Sequence, residues 1–125
     1  MASSELLDKI RFNYYGDGYY RNYTNSISIN GWLANKPTVK KLDNGKRMII
    51  FAIFQVNKTG YRSFLCKSFS ENVINALLDT KNVSLINCLG MLANTPKSRF
   101  AIQIEEISIS HEYLDIPLEE EYTKE

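Results

Sequence analysis

Between residues 26 and 109 the chain reads as five extended segments interrupted by one helical segment, and that order restricts the fold more than any other feature. In 26–33, Ile27, Ile29 and Leu33 share one face around Gly31, while Ser26, Ser28, Asn30 and Trp32 share the other, the pattern of a half-buried strand. Asn35-Lys36-Pro37 breaks it, 38–42 reads as a short β arm, and Asp43-Asn44-Gly45 is a strong hairpin-turn signal. Residues 47–56 are β-branched and aromatic, and apolar on both faces. That predicts a central strand covered on both sides, by core and by a partner or ligand. Asn57-Lys58-Thr59-Gly60 turns the chain into a third strand over 61–69. The helix comes next. Ser68-Phe69-Ser70-Glu71 matches a capping box, Val73, Ile74, Leu77 and Leu78 fall on one helical face, and Lys81-Asn82 stands where a C-terminal cap belongs. Strands over 83–93 and 99–109 finish the series, joined by a turn at 94–97.

Three strands, a helix and two strands is the element order of an OB-fold, a five-stranded Greek-key barrel. The expected fold class is therefore all-β with one helix, β1-β2-β3-α-β4-β5, over residues 26–109. Residues 1–25 form a Tyr-rich N-terminal extension in which 4–10 would make a short helical turn, and 110–125 form an acidic C-terminal tail. An OB-fold builds its nucleic-acid surface from the face of its second and third strands and from the loops joining strands 1–2 and 4–5.

Charge is segregated along the same boundaries. Residues 26–104 carry eleven Lys and Arg against three acids, a net of +8, whereas 105–125 carry eight acids and one Lys, a net of −7. The formal total of +1 hides a basic body and an acidic end. Cations interleaved with aromatic rings suit single-stranded nucleic acid, which presents phosphates and unstacked bases together. The plainer alternative is a solvated, lysine-rich surface.

A chain of 125 residues, 44% hydrophobic, can bury a single core. Its opening residues lack the apolar stretch of a signal peptide, and the longest apolar run, 48–54, is too short to span a bilayer. A soluble, cytoplasmic protein is expected. Cys66 and Cys88 have no CxxC partner and read as buried, reduced thiols; His111, the single histidine, reads as a bystander. No metal, cofactor or catalytic site is expected.

The segment Ile29-Asn-Gly-Trp-Leu-Ala-Asn-Lys-Pro-Thr-Val-Lys-Lys-Leu-Asp-Asn-Gly45 resembles the opening strand and hairpin of bacterial-type single-stranded DNA-binding proteins. Residues 46–56 resemble that family's second strand, Tyr61-Arg-Ser-Phe-Leu-Cys66 its next strand with an aromatic at the start, and Cys88-Leu-Gly-Met-Leu92 fits further along. The resemblance covers about residues 26–109. It implies an oligomeric OB-fold, dimer or tetramer, that coats single-stranded DNA. Two departures stand out: the Tyr-rich lead-in, and Asp115-Ile-Pro-Leu118, which is similar to the family's acidic tip but is followed by 119–125 instead of ending the chain. A short, divergent member from a phage or mobile element would suit this pattern, and tip-dependent recruitment of replication or recombination proteins is left open.

The candidate stacking residues are Trp32, on the polar face of its strand, Tyr61, and Phe51 and Phe54. Those two have opposite parity in one strand, so one is expected to face outward. Phe64, like either of them, also suits a core that needs bulky residues. The candidate phosphate contacts are Lys36, Lys40, Lys41, Lys46, Arg47, Lys58, Arg62, Lys67, Lys97 and Arg99. Tyr14, Tyr15, Tyr19, Tyr20 and Tyr23, with Arg11 and Arg21, could pack on the barrel or a neighbouring subunit, or grip DNA as an arm.

The function these residues favour is sequence-independent binding and protection of single-stranded DNA in replication, recombination or transfer. The alternative is an OB-fold adaptor that binds protein in a replication or DNA-transfer complex and nucleic acid only weakly. A nuclease would need clustered carboxylates, and the basic region holds only Asp43, Glu71 and Asp79. Stacking and phosphate contacts do not separate DNA from RNA.

Overall fold

The structure is a computed structural model that describes residues 3–15, 25–93 and 102–121. Its elements in chain order are α1 (Ser4–Tyr15), β1 (Ile27–Leu33), β2 (Thr38–Lys41), β3 (Arg47–Val56), β4 (Tyr61–Ser68), α2 (Glu71–Leu78), β5 (Asn82–Leu92) and β6 (Ile102–Pro117). With the β2 arm set aside, five strands close a barrel. β1 pairs antiparallel with β5 from Ile27↔Gly90 to Leu33↔Ser84, and it also meets β3 through Trp32↔Phe54. β3 pairs with β4, β4 runs parallel to β6 at Cys66↔Ile102, and β6 returns to β5. This is the OB-fold order of three strands, helix and two strands, with β2 as an arm hydrogen-bonded to β3.

The β1–β3 closure depends on a missing side chain. A Cβ at Gly31 would lie 2.7 Å from the Phe54 carbonyl oxygen, so glycine lets the two backbones approach beside Trp32. Inside, Leu33, Ile49, Phe51, Ile53, Ile86 and Ile104 share one core with Val73, Ile74 and Leu77 of α2. Cys66 and Cys88 lie in the same core as free thiols. Burial pushes each up to about 12, and the neighbouring Cys88 adds to the rise at Cys66.

Four expectations are corrected. The cap of α2 is Ser70, whose hydroxyl accepts from Val73 N at 3.4 Å, not Ser68. Ser68 is fully buried and donates its hydroxyl to Ile104 O at 2.6 Å, tying β4 to β6. The capping-box pattern placed the helix two residues early because a buried serine in a strand end looks the same in sequence. Asp79, not Lys81-Asn82, closes α2, and Asn82 already belongs to β5.

The last strand does not end at Ile109. It runs to Pro117, with Ser84↔Tyr113 and Asn82↔Pro117 pairing to β5, and Leu118 enters the core at 7% exposure. Charge alone made this segment read as a tail, although Tyr113, Leu114, Ile116 and Leu118 are interleaved with its acids.

The lead-in contains a second helix, longer than the turn expected. Leu6, Leu7, Ile10 and Phe12 of α1 are all exposed. Asn25 then fixes the entry to β1, its side-chain amide exchanging two hydrogen bonds of 3.0 Å with the Leu92 backbone. Among the described residues no helix is long and apolar enough to cross a membrane.

Candidate nucleic-acid interface

The pairing registers decide which side chains share the outer face. Ile49, Phe51 and Ile53 of β3 point into the core, which leaves Met48, Ile50, Ala52, Phe54 and Val56 on the opposite parity. Across the β3–β4 ladder these meet Lys67, Leu65, Ser63 and Tyr61, because Ile50↔Lys67, Ala52↔Leu65, Phe54↔Ser63 and Val56↔Tyr61 are partners. β1 adds Trp32 opposite Phe54, and β2 adds Lys40 opposite Met48. One face therefore carries an apolar floor, three rings and two lysines.

At one end of that face lies an open groove of about 760 Å³, lined by Trp32, Phe54, Val56, Tyr61, Val83 and Leu114 together with Ala34, Asn35, Asn57, Gly60 and Glu119. The Phe54 and Tyr61 rings sit 5.7 Å apart, tilted by 59°, an edge-to-face geometry that holds both in place. Tyr61 is 64% exposed and lines the groove. The turn beneath it is rigidified by Asn57, whose side-chain oxygen accepts from the Thr59 and Gly60 amides at 3.0 and 2.9 Å.

Phe51 is 3% exposed and belongs to the core, so its ring has no face to offer a base, and Phe54 is the outward member of that pair. Phe64 packs against the core from the inner side of β4.

The cations divide. Lys40, Lys41, Lys46, Lys58 and Arg62 are exposed, with Lys40 on the ring-bearing face and Lys58 in the turn beside it. Lys67 shares that face and lies 5.6 Å from the centroid of Phe69. Arg47 is on the other parity and is held there: it donates to Glu71 at 2.6 Å and to Asn75 at 3.4 Å, clamping the start of β3 to α2. That hydrogen bond holds the Glu71 carboxyl below the usual carboxylate range and raises the Arg47 guanidinium. Lys36 is paired with Glu120 at 3.4 Å. Tyr14 and Tyr15 close α1 with side chains outside the description, and Lys97, Arg99, Tyr19, Tyr20, Tyr23 and Arg21 lie outside the described residues.

The sequence reading missed Val56, Val83, Leu114 and Glu119 as groove residues. Val56 carried a signal, since it shares parity with Phe54. Leu114 and Glu119 carried none, because they reach the groove only through the extension of β6.

No family model matches the chain, and no curated protein matches it. Solved structures do. The mitochondrial single-stranded DNA-binding protein Rim1 of S. cerevisiae is 18% identical, over 72% of this chain and 97% of that one, with a TM-score of 0.59. The wild-type single-stranded DNA-binding protein of Thermus aquaticus is 14% identical, over 71% of this chain and 41% of that one, also at 0.59. At these identities the likeness establishes the fold: the chain has the OB-fold of single-stranded DNA-binding proteins.

Proposed function

We propose that this protein binds single-stranded DNA without sequence preference and protects it during replication, recombination or transfer, with no catalytic step. The observation that carries this reading is the convergence of Trp32, Phe54 and Tyr61 on one outward face, with Lys67 and Lys40 further along that same face. Bases would stack on the rings, each stack contributing roughly 1–3 kcal/mol. Phosphates would follow the lysines, giving affinity without base readout. Lys41, Lys46, Lys58, Arg62 and, from the segment beyond β5, Lys97 and Arg99 remain in this reading as secondary contacts. A homo-oligomer, dimer or tetramer, belongs to the same reading, and the exposed apolar residues of α1 support it.

One observation favours the adaptor reading: Val56, Val83 and Leu114 give the groove a largely apolar lining, which would also suit a protein segment. A fluorescence-anisotropy titration of single-stranded DNA, duplex DNA and RNA at several salt concentrations, repeated with Trp32→Ala, separates the two. Tight, salt-sensitive binding that favours single-stranded DNA and weakens in the variant is the expected result. Weak binding to all three polymers, unaffected by the substitution, rejects the DNA-coating function in favour of the adaptor.

A further inference from the structure

An acid is among the residues of the ring-lined groove. Glu119 lines it together with Trp32, Phe54 and Tyr61, where an approaching phosphate would meet like charge. Its position is fixed by the backbone. Glu119 N donates to Ala34 O at 2.9 Å, and Glu119 O accepts from Lys36 N at 2.8 Å. The residues on either side are also held: Leu118 is buried and its N–H donates to Lys81 O at 3.1 Å, while Glu120 O accepts from the Asn35 side chain at 2.7 Å. The nearby cation is already engaged, since Lys36 pairs with Glu120. Among the described residues the Glu119 carboxylate itself has no hydrogen-bond or ion-pair partner.

We propose that the Glu119 carboxylate reads the edge of a base stacked in this groove and biases the site toward amino-bearing bases, cytosine first, over thymine. The proposal rests on the single-stranded DNA reading above and departs from it in one respect: every base is still bound, but not with equal affinity at this position. A base lying on the rings would turn its edge toward the residues lining the groove, Glu119 among them, and a carboxylate only accepts hydrogen bonds. Cytosine offers its N4 amino protons, a match that carboxylates make. Thymine presents the O4 acceptor at the same position, so oxygen would face oxygen. The preference comes from a short-range contact, so it outlasts salt that weakens the general attraction for phosphates.

Two homopolymers of equal length isolate this contact: oligo(dT) and oligo(5-methyl-dC), whose bases share ring size and methyl group and differ in the amino or oxo group at C4 and the N3 proton that goes with it. Titrating the full chain with each at pH 8 and two salt concentrations, the expected preference is about five- to tenfold for 5-methyl-dC. Glu119→Gln should bring the ratio close to one at both salts, because an amide either donates or accepts, while its backbone bonds and thermal unfolding stay as they were. Equal binding of both polymers by the wild type overturns the proposal. So does a preference that survives in Glu119→Gln, or a uniform rise in affinity for both polymers at unchanged ratio, which would mark Glu119 as a charge that merely repels phosphate. Failure of both polymers to bind rejects the single-stranded DNA reading itself, a result distinct from binding without discrimination.

Discussion

Trp32 stands opposite Phe54 across the one residue pair through which β1 and β3 close the barrel. The junction that completes the fold is therefore also the junction that presents two rings of the candidate interface. Assembly of the barrel and assembly of the groove are linked at this point, and the link runs through the neighbouring Gly31.

A methyl group at Gly31 would meet both the Phe54 carbonyl oxygen and the Ile53 side chain, neither of which can yield without moving β3. Gly31→Ala is expected to cost about 1–3 kcal/mol of stability, as overpacking does, and to weaken single-stranded DNA binding in the part that stays folded. Thermal unfolding followed by titration well below the midpoint checks both. An unchanged midpoint would contradict the close approach.

Phe51 and Phe54 lie three residues apart with opposite fates, so the pair separates core from interface. Phe51→Ala should cost roughly 3–5 kcal/mol, read as a lower denaturation midpoint. Phe54→Ala should cost less stability and lower DNA affinity by about fivefold or more, the loss of one stacked base. Equal effects of the two substitutions on affinity would show that the outer face is not where bases stack.

Lys40 and Arg47 make the same contrast among the cations. Arg47 is committed to Glu71 and Asn75 on the α2 side, whereas Lys40 is exposed on the ring-bearing face. Lys40→Ala should reduce the slope of log affinity against log salt by about 0.7, one phosphate contact on a single strand. Arg47→Ala should leave that slope alone and lower stability, more so above the Glu71 titration. The sign follows from the depressed Glu71 carboxyl: its contribution is present above the unfolded value and lost as pH falls through the folded one.

Much of this was legible in the sequence because alternation reports parity. The extents of β1, β3 and β4 and the outward placement of Trp32 follow from which residues share a face, and the opposite parity of Phe51 and Phe54 required that one be outward. What parity cannot report is partnership across long separations. Arg47 looks like any loop cation until α2 brings Glu71 beside it, 24 residues later. Ser68 looks like a helix cap until β6 supplies the Ile104 carbonyl, 36 residues on. Glu119 reaches the groove because β6 continues past the point where its composition turns acidic.

The core thiols should be chemically silent. With both raised to about 12, neither carries appreciable thiolate at pH 8, and neither is exposed. A disulfide-exchange reagent at pH 8 is expected to label neither Cys66 nor Cys88 in the native chain and both in denaturant. The raised values also set a sign: the stability they contribute is complete below the unfolded thiol value of 9.0 and is lost as pH rises toward 12. Rapid labelling of the native protein would contradict their burial.

The acidic end can be tested for competition with DNA only by substitutions that spare the fold. Cutting the chain after His111 removes the Tyr113 and Pro117 pairings with β5 and the buried Leu118, so a change in affinity would report damage to the barrel. Leu118→Ala alone should cost about 2–5 kcal/mol, depending on how far the site collapses, and should free the Asn35–Lys36 loop that Glu119 and Glu120 hold. Glu120→Gln with Glu121→Gln keeps Leu118 and the backbone bridge, yet releases Lys36 from its 3.4 Å ion pair. That double variant is expected to unfold at the wild-type temperature and to bind single-stranded DNA about twofold more tightly at low salt, the scale of one exposed ion pair. The gain should vanish at high salt, where such charges are screened. Wild-type affinity at low salt would show that the acidic end does not compete for the groove.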